Sequence, residues 1–403
     1  MIYLLLFLYL SYLVIKYDVL EEKNNKWLHF YILLILLILV SGFRYRLGTD
    51  TYSYINEFEK YPDLFHLTME DFSSFRYQPF WILLNSVGKT FGSFIFVQFV
   101  ISVIHISLLG QFLKQICPSL IFSSLLLYYM YDYAVFNMEV MRESVSISLF
   151  LIALLSLSRS KKKRAYIYIG LAFMFHVYSL LVFILFILFK KLKSLNRWLG
   201  YIVVCCIAIV CILDKNFIIN LIMNYVVGTD NIYTESATTY AMSKQYGETD
   251  MSWGGILTVF FLPTIYIYLL FHTKQIYTDC VKFNRDLFEA TIFMAVSYIL
   301  LKYSLGIIDR MYNYFHVFTF LLIILFVKQK IATVKMRLQR IPAYMLMMLI
   351  PILFACRMYM RKDSLVENLR MYSRYYPYSS VFDKQIDRNR ERIFTYKDYM
   401  AFE

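Results

Sequence analysis

The sequence predicts an all-α polytopic integral membrane protein, and three observations carry the prediction. Apolar side chains make up 60% of the 403 residues and aromatic ones 19%. The mean hydropathy is +0.54. Apolar runs of about 15 to 25 residues, the length scale of a bilayer span, recur along the chain. Soluble globular domains do not have this makeup. Twelve glycines and seven prolines leave no room for a flexible linker, so a single membrane domain is expected over 1–356, followed by a tyrosine- and arginine-rich tail over 357–403. The formal charge of +13 would suggest nucleic acid in a soluble protein. Here it reads as the lysine and arginine excess of cytoplasmic loops, and no nucleic-acid partner is expected. The six cysteines lie mostly inside apolar runs without a C-x-x-C pair, and the histidines lack metal spacing. Neither a metal nor a cofactor is expected.

About 11 to 12 hydrophobic segments follow from a pass along the chain, some of them broken or re-entrant. Residues 2–16 read as a retained first span, because no basic n-region or cleavage site precedes them. Residues 28–42 form the second. A large loop, 43–77, comes next, then a short apolar segment at 78–91 and a full span at 93–113. Helices at 119–135 and 137–157 lead to Arg159, Lys161, Lys162, Lys163 and Arg164, the strongest orientation mark, placed in the cytoplasm.

The run 165–189 is flanked by that block and by a second one, Lys190, Lys191, Lys193 and Arg197, with His176 near its centre. A single crossing explains two basic ends poorly. Two half-helices of about 12 residues each rise only about 18 Å, enough to dip into a bilayer and return. The expectation is a re-entrant hairpin with His176 at its tip, enclosed by protein. Spans at 198–213, 253–271, 288–305 and 313–327 then place the acidic loop 214–252 outside and the basic loop Lys328 to Arg340 inside. The tail is expected as an interfacial flap on the outer side.

The same parity gathers charged residues at one outer mouth. Arg44, Arg46 and Asp50 lie in F-R-Y-R-L-G-T-D-T-Y-S-Y (Phe43 to Tyr54). Glu139 and Arg142 open the 137–157 span, and Asp309 and Arg310 lie between late spans. A guanidinium binds phosphate oxygens in pairs, so arginines beside a membrane core suit a lipid-linked diphosphate. A carboxylate beside them could take a proton from a hydroxyl. Together these describe glycosyl transfer from a polyprenyl-diphosphate donor, with Asp50 and His176 as catalytic candidates and Arg44, Arg46, Arg142, Arg310, Tyr54, Glu139 and Asp309 as substrate-binding candidates. Simpler roles exist for each. Asp50 could pair with Arg44 or Arg46, Arg142 could be a snorkelling anchor, Asp309 could neutralise Arg310, and His176 could be a packing residue.

At these residues the sequence resembles the EpsG/Wzy-type bacterial polysaccharide polymerases of exopolysaccharide, capsule and O-antigen assembly. R-Y-R-L-G-T-D-T-Y-S-Y (Arg44 to Tyr54) looks like the family's R-Y-x-x-G-x-D-x-x-x-Y signature. Met141 to Leu149 (M-R-E-S-V-S-I-S-L), Phe175 to Leu180 (F-H-V-Y-S-L) and Asp309 to Phe315 (D-R-M-Y-N-Y-F) continue the likeness in order and rough spacing. The chain departs from it at Glu143, where glutamine is frequent, and at Tyr178, where serine is. The resemblance implies a fold similar to membrane-embedded GT-C-like glycosyltransferases. It also implies a multi-pass enzyme of the bacterial inner membrane, with its active site facing the extracytoplasmic side. Such an enzyme moves a growing glycan from undecaprenyl diphosphate to the next undecaprenyl-diphosphate-linked oligosaccharide. A flippase and a chain-length regulator are the partner proteins it implies, beside the lipid bilayer itself. No nucleotide sugar is needed, in keeping with the lack of a Gly-rich phosphate loop or D-x-D.

Other classes remain open at this point. A lipid-linked oligosaccharide flippase or transporter would show paired repeats and charges spread through the spans, whereas charge here clusters at one face. An O-antigen ligase would share the donor, and R-Y-R-L-G-T-D argues against it. An O-acyltransferase would keep a histidine beside an arginine near the first span.

Overall fold

The computed structural model describes residues 1–75, 77–195, 253–301, 307–366 and 368–401, with scattered positions between 198 and 213. Among them all regular elements are helical, and strand-like pairing is confined to two isolated bridges, Arg44 with Ser380 and Lys362 with Arg370. The chain is an all-α polytopic membrane protein. Among the described residues, five helices are long and apolar enough to cross a bilayer by themselves: Ile2–Val19, Phe94–Ile116, Met141–Ser158, Arg310–Ala332 and Arg340–Tyr359. Shorter apolar helices fill the space between them.

In chain order, α1 (Ile2–Leu13) runs on into a π-helical turn over Val14–Val19, and α2 (Lys26–Gly42) follows. The first large loop folds into α3 (Thr49–Phe58) and the single turn α4 (Asp71–Ser74). The short apolar segment becomes α5 (Pro79–Thr90), started by proline at a position whose N–H would be unpaired in any case. Gly92, at φ +74°, turns the chain into α6 (Phe94–Ile116), whose first turn the Ser93 hydroxyl caps by accepting from Ile95 N at 3.1 Å. Then come α7 (Ile121–Tyr131), α8 (Tyr133–Met138) and α9 (Met141–Ser158), the last almost wholly enclosed by protein.

The run between the two basic blocks is two helices, α10 (Lys162–Phe173) and α11 (Tyr178–Leu195). In one continuous helix Tyr166 and Phe183 would lie about 25 Å apart. Their ring centroids are 6.2 Å apart, so the chain reverses at Met174–Val177. His176 sits in the reversal. The backbone freed there is satisfied by protein, as a break at membrane depth requires. Phe80 N donates to Met174 O at 3.0 Å, and Ser146 Oγ to Ala172 O at 2.9 Å. The second arm, at 18 residues, is longer than a half-helix.

After residues 196–252, nearly all outside the described set, α12 (Trp253–His272), α13 (Lys274–Cys280) and α14 (Arg285–Leu301) follow. The acidic loop 214–252 and most of the 198–213 segment therefore lie outside the described residues. α15 (Ile307–Tyr312) passes through a 3-10 turn into α16 (His316–Ala332), and α17 (Arg340–Tyr359) is the last long apolar helix. The tail winds back across the first loop and closes with α18 (Arg388–Ala401).

Contacts sort the bundle into two ends. At one end Lys26 Nζ lies 3.6 Å from Asp18, Lys328 Nζ lies 3.2 Å from the Asp18 carbonyl, Lys282 N donates to Ile116 O, and Asn284 N donates to Ser158 Oγ. The block Arg159–Arg164 and the start of the 328–340 loop therefore share this end. At the other end the first loop, the starts of α6 and α9, the hairpin tip and the tail come together. Gln98 Nε2 reaches the Arg44 carbonyl, Arg44 reaches Met141, and Tyr45 N donates to Ser379 O.

Candidate active site at the hairpin end

Gly48 sets the entry to the site. It stands at φ +84°, and a Cβ there would lie 2.2 Å from the Met138 carbonyl oxygen, so only glycine lets the loop press against the α8–α9 turn. One step later the chain enters α3, with Asp50 in its first turn, where the helix dipole favours a carboxylate. Tyr54, one turn on, is buried with its ring 5.0 Å from Trp81.

Arg142, in the first turn of α9, lies in an aromatic box. Its guanidinium carbon is 3.8 Å from the Tyr77 ring centre and 5.8 Å from those of Tyr54 and Trp81. Ring faces attract a cation without neutralising it. Nη1 donates to Gln78 Oε1 at 3.2 Å, while Nε is buried with no hydrogen-bond partner. The Tyr77 hydroxyl donates to Glu57 Oε1 at 2.6 Å. Burial raises the Tyr77 pKa more than the Arg142 charge lowers it, so this hydroxyl keeps its proton.

Glu143, 2% exposed, accepts from Asn313 Nδ2 at 3.1 Å through one carboxylate oxygen, and the other is buried without a hydrogen-bond partner. Arg310 is close enough for its charge to act on both Glu143 and His176, and the charge of Asp50 reaches Glu143 and Tyr54. His176 is 6% exposed, with its ring 4.9 Å from Tyr178 and Nδ1 buried without a hydrogen-bond partner. Buried polar atoms without partners are rare in folded proteins. Three of them, Arg142 Nε, Glu143 Oε2 and His176 Nδ1, fall in this one cluster.

The structure thus brings Asp50, Tyr54, Arg142, His176 and Arg310 into one neighbourhood. It places Arg44, Arg46 and Glu139 in another, where the first loop meets the tail. Arg44 is fully enclosed, donating to the Ser41 carbonyl at 2.5 Å and the Met141 sulfur at 2.8 Å. Arg46 makes a two-pronged pair with Glu391 of α18 at 3.1 and 2.7 Å and lies beside the Tyr52 and Phe394 rings, which stack on each other. Glu139 accepts from Thr49 Oγ1 and from Arg374, which also donates to Asp363 at 2.6 Å. The Asp309 side chain lies outside the described residues.

Burial works against the Arg374 cation, but Glu139 and Asp363 outweigh it and hold its pKa above the ordinary value. Removing one member of such a buried set leaves the others unpaired, at a cost of about 3 kcal/mol or more. Arg374→Ala should therefore release the tail from the first loop. Limited proteolysis is expected to cleave between 361 and 401 in the variant under conditions that leave the parent chain intact.

Sequence reasoning did not single out Glu143, Asn313, Glu57, Tyr77, Gln78, Trp81 or Arg374 as site residues. Glu143 and Asn313 had a readable signal, since each lies within three residues of a chosen arginine. Arg374 had none within a tail of mixed charge. Glu143→Gln keeps an oxygen for Asn313 and should retain the fold. Glu143→Ala removes it and should lower stability by about 1–3 kcal/mol, a difference that thermal denaturation in detergent measures directly.

A family model described as EpsG family matches residues 27–380, spanning the first loop, the hairpin and the cluster. The chain belongs to the EpsG family. No curated protein and no solved structure matches it. EpsG membership and the apolar helices together make this a membrane protein of polysaccharide biosynthesis with a polymerase-type role. The match ends before α18, so the helix that holds Arg46 lies beyond the matched region.

Proposed function

We propose that this EpsG-family chain polymerises undecaprenyl-diphosphate-linked oligosaccharide repeat units. The growing glycan leaves its diphosphate carrier and joins the next lipid-linked unit at the extracytoplasmic face of the bacterial inner membrane. The single observation behind the reading is the cluster in which Arg142 and Arg310 approach His176 at the tip of a chain reversal. It lies at the end of the bundle opposite the Arg159–Arg164 block. Basic loops stay in the cytoplasm, so this cluster belongs outside.

In this mechanism the two guanidiniums bind the departing diphosphate and take up the charge that develops as the sugar–phosphate bond breaks. Of the Arg142 donors, Nε has no hydrogen-bond partner and is the one offered to phosphate. Asp50 removes the proton from the attacking sugar hydroxyl. His176, through its unpartnered Nδ1, binds or protonates a phosphate oxygen. Glu143 sets the balance of charge between the arginines in the absence of substrate.

The test is a gel of lipid-linked glycan from cells lacking the gene, complemented at matched expression. The wild-type chain restores a ladder, whereas Asp50→Asn leaves a single repeat unit. A ladder of unchanged length with material trapped on the cytoplasmic side would make the protein a transporter instead.

A further inference from the structure

A cavity of about 190 Å³ lies between the ends of α1, α7, α8 and α17 and the tail, walled by Tyr3, Tyr129, Tyr133, Tyr359, Tyr372 and Tyr375 among others. It shares no lining residue with the Arg142 box, and it adjoins the Glu139–Arg374 pair through Tyr375. Several of its tyrosine hydroxyls are already committed. Tyr129 donates to the Tyr3 carbonyl at 2.8 Å, Tyr3 to the Tyr375 carbonyl at 3.1 Å, and Tyr133 to the Leu37 carbonyl at 2.7 Å. What these residues present to the space is ring carbon. A sugar entering it would lose hydrogen bonds to water without replacement, while a hydrocarbon would lose nothing.

The rim is of the opposite character. Arg357, Arg361, Lys362 and Arg370 are all exposed around the end of α17. Arg370 donates to the Met360 carbonyl at 3.2 Å, and Lys362 and Arg370 form a bridge, so these cations are held beside Tyr359 and Tyr372. From the cavity, exposed apolar residues continue along two helices: Leu4, Leu5 and Leu8 on α1, and Leu346, Ile350 and Leu353 on α17. An apolar cavity with a cationic rim and an apolar path into the bilayer fits an anionic amphiphile with one long hydrocarbon chain.

We propose that this is the acceptor-lipid site. The prenyl chain of the incoming repeat unit threads past Tyr3 and Tyr359, and its diphosphate rests on Arg357, Arg361, Lys362 and Arg370. The assignment rests on the polymerase reading, which requires two lipid diphosphates at once. Only the donor's diphosphate reacts, at Arg142 and Arg310. The acceptor reacts at the far end of its oligosaccharide, so its own carrier has to be held to one side, at about the length of a repeat unit. A second lipid site apart from the reacting one is what that chemistry demands, and the cavity supplies it.

The experiment uses the purified full chain in nanodiscs, with a sugar-free photoreactive polyprenyl diphosphate as the probe. Crosslinks are expected in peptides covering 129–134 and 371–376, both in the parent chain and in Arg142→Ala, which lacks a donor-site arginine. Ala134→Phe, which fills the cavity, and separately Arg361→Gln with Lys362→Gln and Arg370→Gln should lower that labelling at least about tenfold. In elongation assays the rim variant should raise KM for the lipid-linked acceptor and leave kcat unchanged. Labelling elsewhere, labelling indifferent to the rim variant, or labelling abolished by equal phosphatidylglycerol would overturn the assignment. Elongation without cavity labelling would sink it alone. Cavity labelling by a parent chain that never elongates would sink it together with the polymerase reading.

Discussion

Arg142→Ala is expected to reduce glycan elongation by about a hundred- to a thousandfold while leaving the protein folded and inserted. This range is what removal of one charge-stabilising donor from an enclosed site removes from a rate. The Arg142 guanidinium touches three rings and one amide oxygen, and its Nε has no hydrogen-bond partner. Arg142→Lys should not rescue activity, because an ammonium offers no planar pair of donors and sheds water less readily than a guanidinium. Elongation measured at saturating substrate separates this outcome from a loss of binding alone. A lysine variant with near-normal kcat would assign Arg142 a bulk electrostatic role only.

The second large effect is expected at Gly48. Gly48→Ala places a methyl group 2.2 Å from the Met138 carbonyl oxygen and 2.7 Å from its carbon, on a backbone at φ +84°. Both partners are main chain, so no side-chain rotation relieves the overlap. Strain of this kind costs about 1–3 kcal/mol from the backbone angle alone, and the steric overlap adds to it. The loop must then lift from the α8–α9 turn, taking with it Asp50 and the Thr51 hydroxyl, which donates to the Met138 carbonyl at 2.7 Å. Elongation should fall to background although neither Arg142 nor Arg310 has been changed. Cysteine-accessibility labelling at Thr51, buried in the parent chain, checks the cause. Thr51→Cys should react slowly alone and quickly in combination with Gly48→Ala.

How much of this was legible in the sequence depends on the range of each interaction. The spans were readable because apolar runs report burial in lipid directly. The hairpin at 165–189 was readable because two basic blocks flank one apolar run, a pattern that one crossing does not produce. Counting crossings put Arg44, Arg46, Asp50, Arg142 and Arg310 at one mouth with His176 below it, although one of the crossings counted, 198–213, lies mostly outside the described residues. What escaped was the partnering of polar side chains across long separations. Arg44 and Arg46 stand two residues from each other, and both look like ligands for an anion. The first is enclosed against Met141, and the second pairs with Glu391, some 345 residues away. No local pattern encodes such a pairing, because it depends on where the tail folds. The tail itself carries no apolar periodicity. Its hold on the first loop comes from backbone pairing at Phe43 and Tyr45 and from Arg374, features that composition does not register.

Elongation by the isolated protein tests the central claim most directly. The purified chain is placed in liposomes with a single undecaprenyl-diphosphate-linked repeat unit as the only substrate, and products are separated by size. A ladder of lipid-linked glycans, made without any nucleotide sugar and lost in Arg142→Ala, is the predicted result. A substrate that stays one unit long, or that only changes leaflet, would contradict the account.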